Sequence, residues 1–125
     1  MTEPVLHALF ALGGGAGALA RYLLTTAVTH RYPLSTLIVN VLGCFILGLG
    51  MEIFWDTPRL AGEEQRRLVA GFCGGFTTFS SFAYQSFELR RSHTVVHAAL
   101  NVVASVLLCV LAFLAGRAAG VLLAA

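Results

Sequence analysis

Gly71-Phe72-Cys73-Gly74-Gly75-Phe76-Thr77-Thr78-Phe79-Ser80-Ser81-Phe82 lies inside a long apolar segment, and its reading decides the fold. Paired glycines followed by two threonines are poor continuous helix. In lipid, a broken helix is tolerated only where protein or a cavity satisfies the freed backbone groups. A break here predicts free carbonyls on the N-terminal half-helix and free N–H groups on the C-terminal half. Discontinuous helices of this kind build ion sites near the bilayer midplane.

Working outward, the 125-residue chain is 58% hydrophobic and only 11% charged. Soluble domains carry roughly 25% charged residues, so the composition argues against a soluble globular fold. Four stretches reach the roughly 20 mostly apolar residues that a spanning helix needs: 5–28, 34–55, 68–91 with its break, and 95–119. The expected architecture is one all-α, four-helix membrane unit over residues 1–125, with no room for a separate catalytic or nucleotide-binding domain. The start, Met1-Thr2-Glu3-Pro4, lacks the basic residue of a cleaved signal peptide, so the first segment is expected to remain. Cys44, Cys73 and Cys109 sit at wide spacing inside apolar segments, where cysteine behaves as a small hydrophobe; neither a metal site nor a disulfide is expected of them.

Turn and charge signals at 29–33, 56–59 and 90–93 mark the segment ends. If the helices alternate, Arg59, Arg66, Arg67 and Arg117 lie towards one side of the membrane, and Arg31, Arg90 and Arg91 towards the other. Orientation is set by an excess of Lys/Arg on the cytoplasmic side, and this bias is small. Two readings stay open: a weak orientation kept by another cue, or dual topology, in which copies inserted both ways pair as an antiparallel dimer. Gly13/Gly17, Gly71/Gly75 and Gly116/Gly120 each form a GxxxG spacing that lets helices approach closely, within one copy or between two.

Polar side chains at membrane depth each ask for a reason. Arg21 either snorkels to the interface or lines a wet vestibule that gathers anions. Asn40 is either helix-to-helix glue or, through its amide donors, a substitute for water around an anion; Thr36 lies one turn earlier on the same face. Phe79 and Phe82 are three apart on one face. The positive edges of their rings can solvate an anion, and Ser80 and Ser81 add hydroxyl donors beside them. Asn101, Ser105 and Cys109 form one stripe on the last helix, either interhelical glue or the polar wall of a narrow ion path. No carboxylate lies deep in any segment, which argues against a proton-coupled multidrug-type transporter. No nucleophile–base or metal-ligand cluster suggests an enzyme.

These motifs resemble the Fluc (CrcB-type) fluoride channels: GGGAGALARY at 13–22, STLIVNVLGCF at 35–45, GFCGGFTTFSSF at 71–82 and NVVAS at 101–105, in order across nearly the whole chain. The resemblance implies an antiparallel dual-topology homodimer in the cell membrane, with two pores that carry fluoride passively out of the cytoplasm. It assigns Asn40 as the pore asparagine, Phe79 and Phe82 as the phenylalanine box, and Ser80 and Ser81 as adjoining hydroxyls. Arg21 becomes the vestibule arginine and Thr36 a threonine near the pore, while Asn101, Ser105 and Cys109 fall on the polar track. Gly74 and Thr77 match positions whose carbonyls, from both subunits, hold one structural sodium ion. The implied partners are fluoride, a second copy and the bilayer, with no nucleic acid and no organic cofactor. One position departs from the pattern: Gln85 stands where family members often carry a glutamate, so any role that needs that charge is absent here.

Overall fold

The computed structural model describes residues 2–27, 34–56 and 62–124, and within them the regular structure is helical throughout. The elements are α1 (Glu3–Ala27), α2 (Leu34–Gly50) continued by a π-helical turn (Met51–Trp55), α3 (Glu63–Phe76), α4 (Phe79–Ser92) and α5 (Val95–Ala124). Three stretches are long and apolar enough to cross a membrane unaided: Glu3–Ala27, Leu34–Trp55 and Val95–Ala124. The expected ends at Val28, and the turn and charge signals at 29–33 and 57–59 that include Arg31 and Arg59, lie outside the described residues.

The third segment begins earlier than its hydropathy predicts. Glu63 and Glu64 occupy its first turn, where carboxylates suit the positive helix end, and the Gln65 side chain accepts the Gly62 N–H at 2.9 Å. The last helix likewise runs past residue 119 to Ala124.

What is inside the molecule inverts the soluble pattern. The buried positions are mainly glycine, serine, threonine and cysteine, with Val39 the largest side chain that is wholly enclosed. Leu12, Leu19, Leu107, Leu111 and Leu122 point outwards. When the solvent is itself apolar, burying leucine gains nothing, and small residues at the seams instead allow close packing.

Two glycine seams fix the arrangement. A methyl group added at Gly17 would run into the Phe72 carbonyl, and one at Gly75 into the Gly14 carbonyl, so the GxxxG faces of α1 and α3 are pressed together. In the same way, Gly48 meets Phe113 and Gly116 meets Phe45 between α2 and α5. Residue numbers rise together across both seams, so α1 runs parallel to α3 and α2 parallel to α5. The sequence neighbours α1 and α2 touch little.

One end of the bundle collects Arg66, Arg67 and Arg117. Arg117 bonds both Glu52 and Asp56 at 2.7 Å, Arg67 bonds Glu63 at 3.0 Å, and the Arg66 Nε donates to the Phe54 carbonyl at 2.6 Å. Glu52 belongs to the π turn, in which the Asp56 N–H donates to the Met51 carbonyl at 3.0 Å. Arg90 and Arg91 lie at the opposite end, where α4 turns into α5.

Candidate functional site

The helix breaks at the threonines. Thr77 (φ −87°, ψ 160°) and Thr78 (φ −149°, ψ 119°) are both extended, while Gly74 and Gly75 remain in α3. Glycine is weak helix, but Gly75 is held in place by its contact with α1; the β-branched threonines favour extended backbone and take the break instead.

Several of the groups freed by the break have identifiable partners. The Thr77 N–H and hydroxyl both donate to the Cys73 carbonyl, at 3.1 and 2.8 Å. Arg21 reaches across from α1, its Nε donating to the Gly75 carbonyl at 3.0 Å. Asn40 on α2 bonds Thr78 twice: its Nδ2 donates to the Thr78 carbonyl at 3.0 Å and its Oδ1 accepts the Thr78 N–H at 2.8 Å. The Thr78 hydroxyl caps α4 by accepting the Ser81 N–H at 3.1 Å, and lies 3.2 Å from the Ser80 hydroxyl. Among the described residues, the carbonyls of Gly74 and Thr77 accept no hydrogen bond. Gly74 itself is exposed, with open space where a side chain would stand.

A cavity of about 540 Å³ opens beside the break. It brings together Asn40, Gly74, Thr77, Phe79, Phe82, Ser105 and Cys109 from four helices. The rings of Phe79 and Phe82 have centroids 5.5 Å apart and are tilted by 58°. Phe79 is 78% exposed.

Thr36, Arg21, Ser80, Ser81 and Asn101 do not line this cavity. Thr36 is buried one turn before Asn40, Ser80 is exposed and Ser81 half-buried at the start of α4, and Arg21 is tied to the break. Asn101 donates to the Ser86 hydroxyl at 3.0 Å, and Ser86 donates to the Phe82 carbonyl at 2.9 Å, linking the α5 stripe to the helix that carries the rings. Gln85 is buried on α4.

Sequence reasoning missed three participants. Ser86 is four residues after Phe82, a spacing that puts it on the same face. Gly43 meets the methyl group of Thr77, and Cys44 lines the cavity. Gly43 and Cys44 sit three and four residues after Asn40, the spacing that could have found them.

The site yields a membrane-embedded helix break with backbone oxygens, two adjacent aromatic rings and neutral amide and hydroxyl groups around one cavity. The class of protein it defines is a multi-pass helical membrane protein with a largely apolar internal cavity that carries a few neutral polar groups. Residues 8–117 match the family described as "CrcB-like protein, Camphor Resistance (CrcB)", and the chain belongs to that family. It is 46% identical over 108 residues to a "Fluoride-specific ion channel FluC" of Solibacter usitatus (82% of this chain, 87% of the relative). It is 43% identical over 120 residues to a protein of the same name from Geobacter sulfurreducens (93% and 94%), and 45% identical over 103 residues to one from Pyrococcus furiosus (80% and 83%).

Proposed function

We propose that this chain is a fluoride-selective channel, not an enzyme, and that it lets fluoride leave the cytoplasm passively. The single observation that carries the reading is the break at Thr77 and Thr78, which sets Phe79 and Phe82 on the same cavity as Asn40 in a chain of this family. Passing fluoride requires replacing a tightly held hydration shell with donors weak enough to release the ion. Ring edges, hydroxyls and the Asn40 N–H left over from its bonds to Thr78 form such a set, and the N-terminal turn of α4 adds the positive end of a helix dipole. Arg21 contributes a permanent positive charge at the break.

The working unit is an antiparallel homodimer of oppositely inserted copies, with two pores. In this arrangement α3 and α4 together make the third of four crossings, between α2 and α5. Parallel running of α1 with α3, and of α2 with α5, agrees with an alternating path. The exposed Phe79 ring supports a second copy as its cover. Thr36, Ser80, Ser81, Asn101, Ser105 and Cys109 serve the ion path directly or by holding its walls.

The free Gly74 and Thr77 carbonyls also fit a structural sodium ion at the dimer centre. They are hard oxygen donors on an open face, and a second copy would supply the same pair. When bound, the ion would supply positive charge to oxygens that lack a donor. Asn40, Arg21 and the Thr77 hydroxyl hold the neighbouring backbone in the conformation that leaves those oxygens free.

The test is fluoride efflux from liposomes containing the purified protein, with chloride as the comparison ion. Rapid fluoride loss with chloride retained is expected; retention of both ions overturns the reading.

A further inference from the structure

Cys44, Cys73 and Cys109 stand 29 and 36 residues apart in sequence, yet all three line the cavity beside the break. They come from three helices, α2, α3 and α5, and none is in a disulfide. Gly48 on α2 lies against Phe113 on α5, and Cys44 and Cys109 each stand one turn earlier on these parallel helices, which sets them at the same level on the cavity wall. Cys44 lies one turn beyond Asn40, and Cys109 one turn beyond Ser105. The Gly48 and Gly116 seam holds α2 against α5 close by. No group of three or more metal-binding side chains occurs among the described residues, which excludes a trigonal or tetrahedral centre there, and the α2–α5 register leaves Cys44 and Cys109 as the candidate pair.

We propose that Cys44 and Cys109 form a two-thiolate site for a soft, thiophilic cation such as Ag⁺, Cu⁺ or Hg²⁺, and that its occupation closes the ion path. Sulfur ligands select soft d¹⁰ cations, and such cations are satisfied by two opposed thiolates. Binding breaks two S–H bonds, forms two metal–sulfur bonds and releases two protons to water, with no electron transferred. Silver leaves a complex with one net negative charge one helical turn from Asn40 and Ser105, where it repels an incoming anion. Mercury leaves a neutral complex that occupies the same space. The binding half of the proposal stands on the thiol geometry alone, whereas the closing half depends on the fluoride reading above.

The purified full-length protein is titrated with silver nitrate in chloride-free buffer by calorimetry, and efflux is followed on the same preparation in liposomes. One Ag⁺ per chain is expected, displaced by excess dithiothreitol. Cys44→Ser and Cys109→Ser should each weaken binding at least about a hundredfold, and Cys73→Ser should leave it unchanged. In the wild-type chain, bound Ag⁺ should protect Cys44 and Cys109 from iodoacetamide, read by peptide mass spectrometry, so the test does not depend on how a variant folds. Fluoride efflux should fall at least about tenfold with Ag⁺, return with dithiothreitol, and be insensitive to Ag⁺ in Cys44→Ser. Binding that survives Cys44→Ser, or is lost equally in Cys73→Ser, overturns the site; binding with undiminished efflux overturns its closing of the path. Absence of efflux before silver is added instead overturns the fluoride reading, and leaves the binding result to decide the thiol site.

Discussion

Asn40 is scaffold through its two bonds to Thr78 and, in the proposed channel, part of the path as well. Two of its amide's hydrogen-bonding positions are spent on Thr78, which leaves one N–H for the cavity. Asn40→Asp keeps an acceptor for the Thr78 N–H, but at neutral pH it loses the donor to the Thr78 carbonyl and sets a negative charge in an anion path. Unpairing a buried carbonyl costs about 1–3 kcal/mol, and fluoride efflux is expected to fall at least tenfold. Efflux within about twofold of wild type at pH 7 would contradict this assignment. The phenylalanines test the ring-edge contribution separately. Phe79→Ile and Phe82→Ile remove the aromatic edge while keeping an apolar side chain, so each should lower efflux at least about tenfold, while the proposed dimer elutes as it does for the wild type in size-exclusion chromatography. If both variants conduct like wild type, the rings are packing only.

At the scale of elements, the glycine seams are the strongest structural constraint. Gly17 is pressed against the α3 backbone, whereas Gly15, two residues away, faces open space. Gly17→Leu is therefore expected to push α1 off α3 and destabilise the fold by about 1–3 kcal/mol or more, while Gly15→Leu stays near wild type. Thermal melting of the two variants in one detergent, read by loss of monodisperse protein, checks the difference. Equal melting temperatures would mean that the seam does not hold the pair together. The sequence made these faces visible as GxxxG spacings but not their partners, because one small-residue stripe looks like another until the helices are placed. Likewise, the sequence located a break within 71–82, but weak helical propensity pointed to the glycines as much as to the threonines. Tertiary contacts decide between them: α1 keeps Gly75 helical, and Asn40 bonds the extended Thr78. The spacing of Asn40 from Thr36 shows only that they share a face; it carries no information about a bond to a residue 38 positions away. Ring placement was more legible, since Phe79 and Phe82 at i and i+3 must share a face on any helix.

At the scale of the molecule, the near-equal arginines of the two ends, Arg66, Arg67 and Arg117 against Arg90 and Arg91 among the described residues, leave little excess of cations to direct insertion. Arg117 is bound by Glu52 and Asp56, and Arg67 by Glu63, while Arg91 at the far end is bound by Glu88. If function needs copies in both orientations, a strong added bias should remove it. Thr94→Lys combined with His97→Lys places two new cations at the α4–α5 end, and this variant is expected to insert one way and to lose efflux from cells expressing it alone. Co-expression with a copy biased by added lysines at the opposite end should restore efflux. Full activity of the single biased variant would count against the antiparallel dimer.

The interleaving of the two parallel helix pairs has a consequence for biosynthesis. Since α1 finds its main glycine-lined partner in α3, and α2 finds its own in α5, a nascent chain that has released its first two helices into lipid still lacks both principal mates. Neither half of the chain is a self-sufficient hairpin: α1 and α3 can join once Phe76 has been made, but α2 stays without its principal mate until α5 follows.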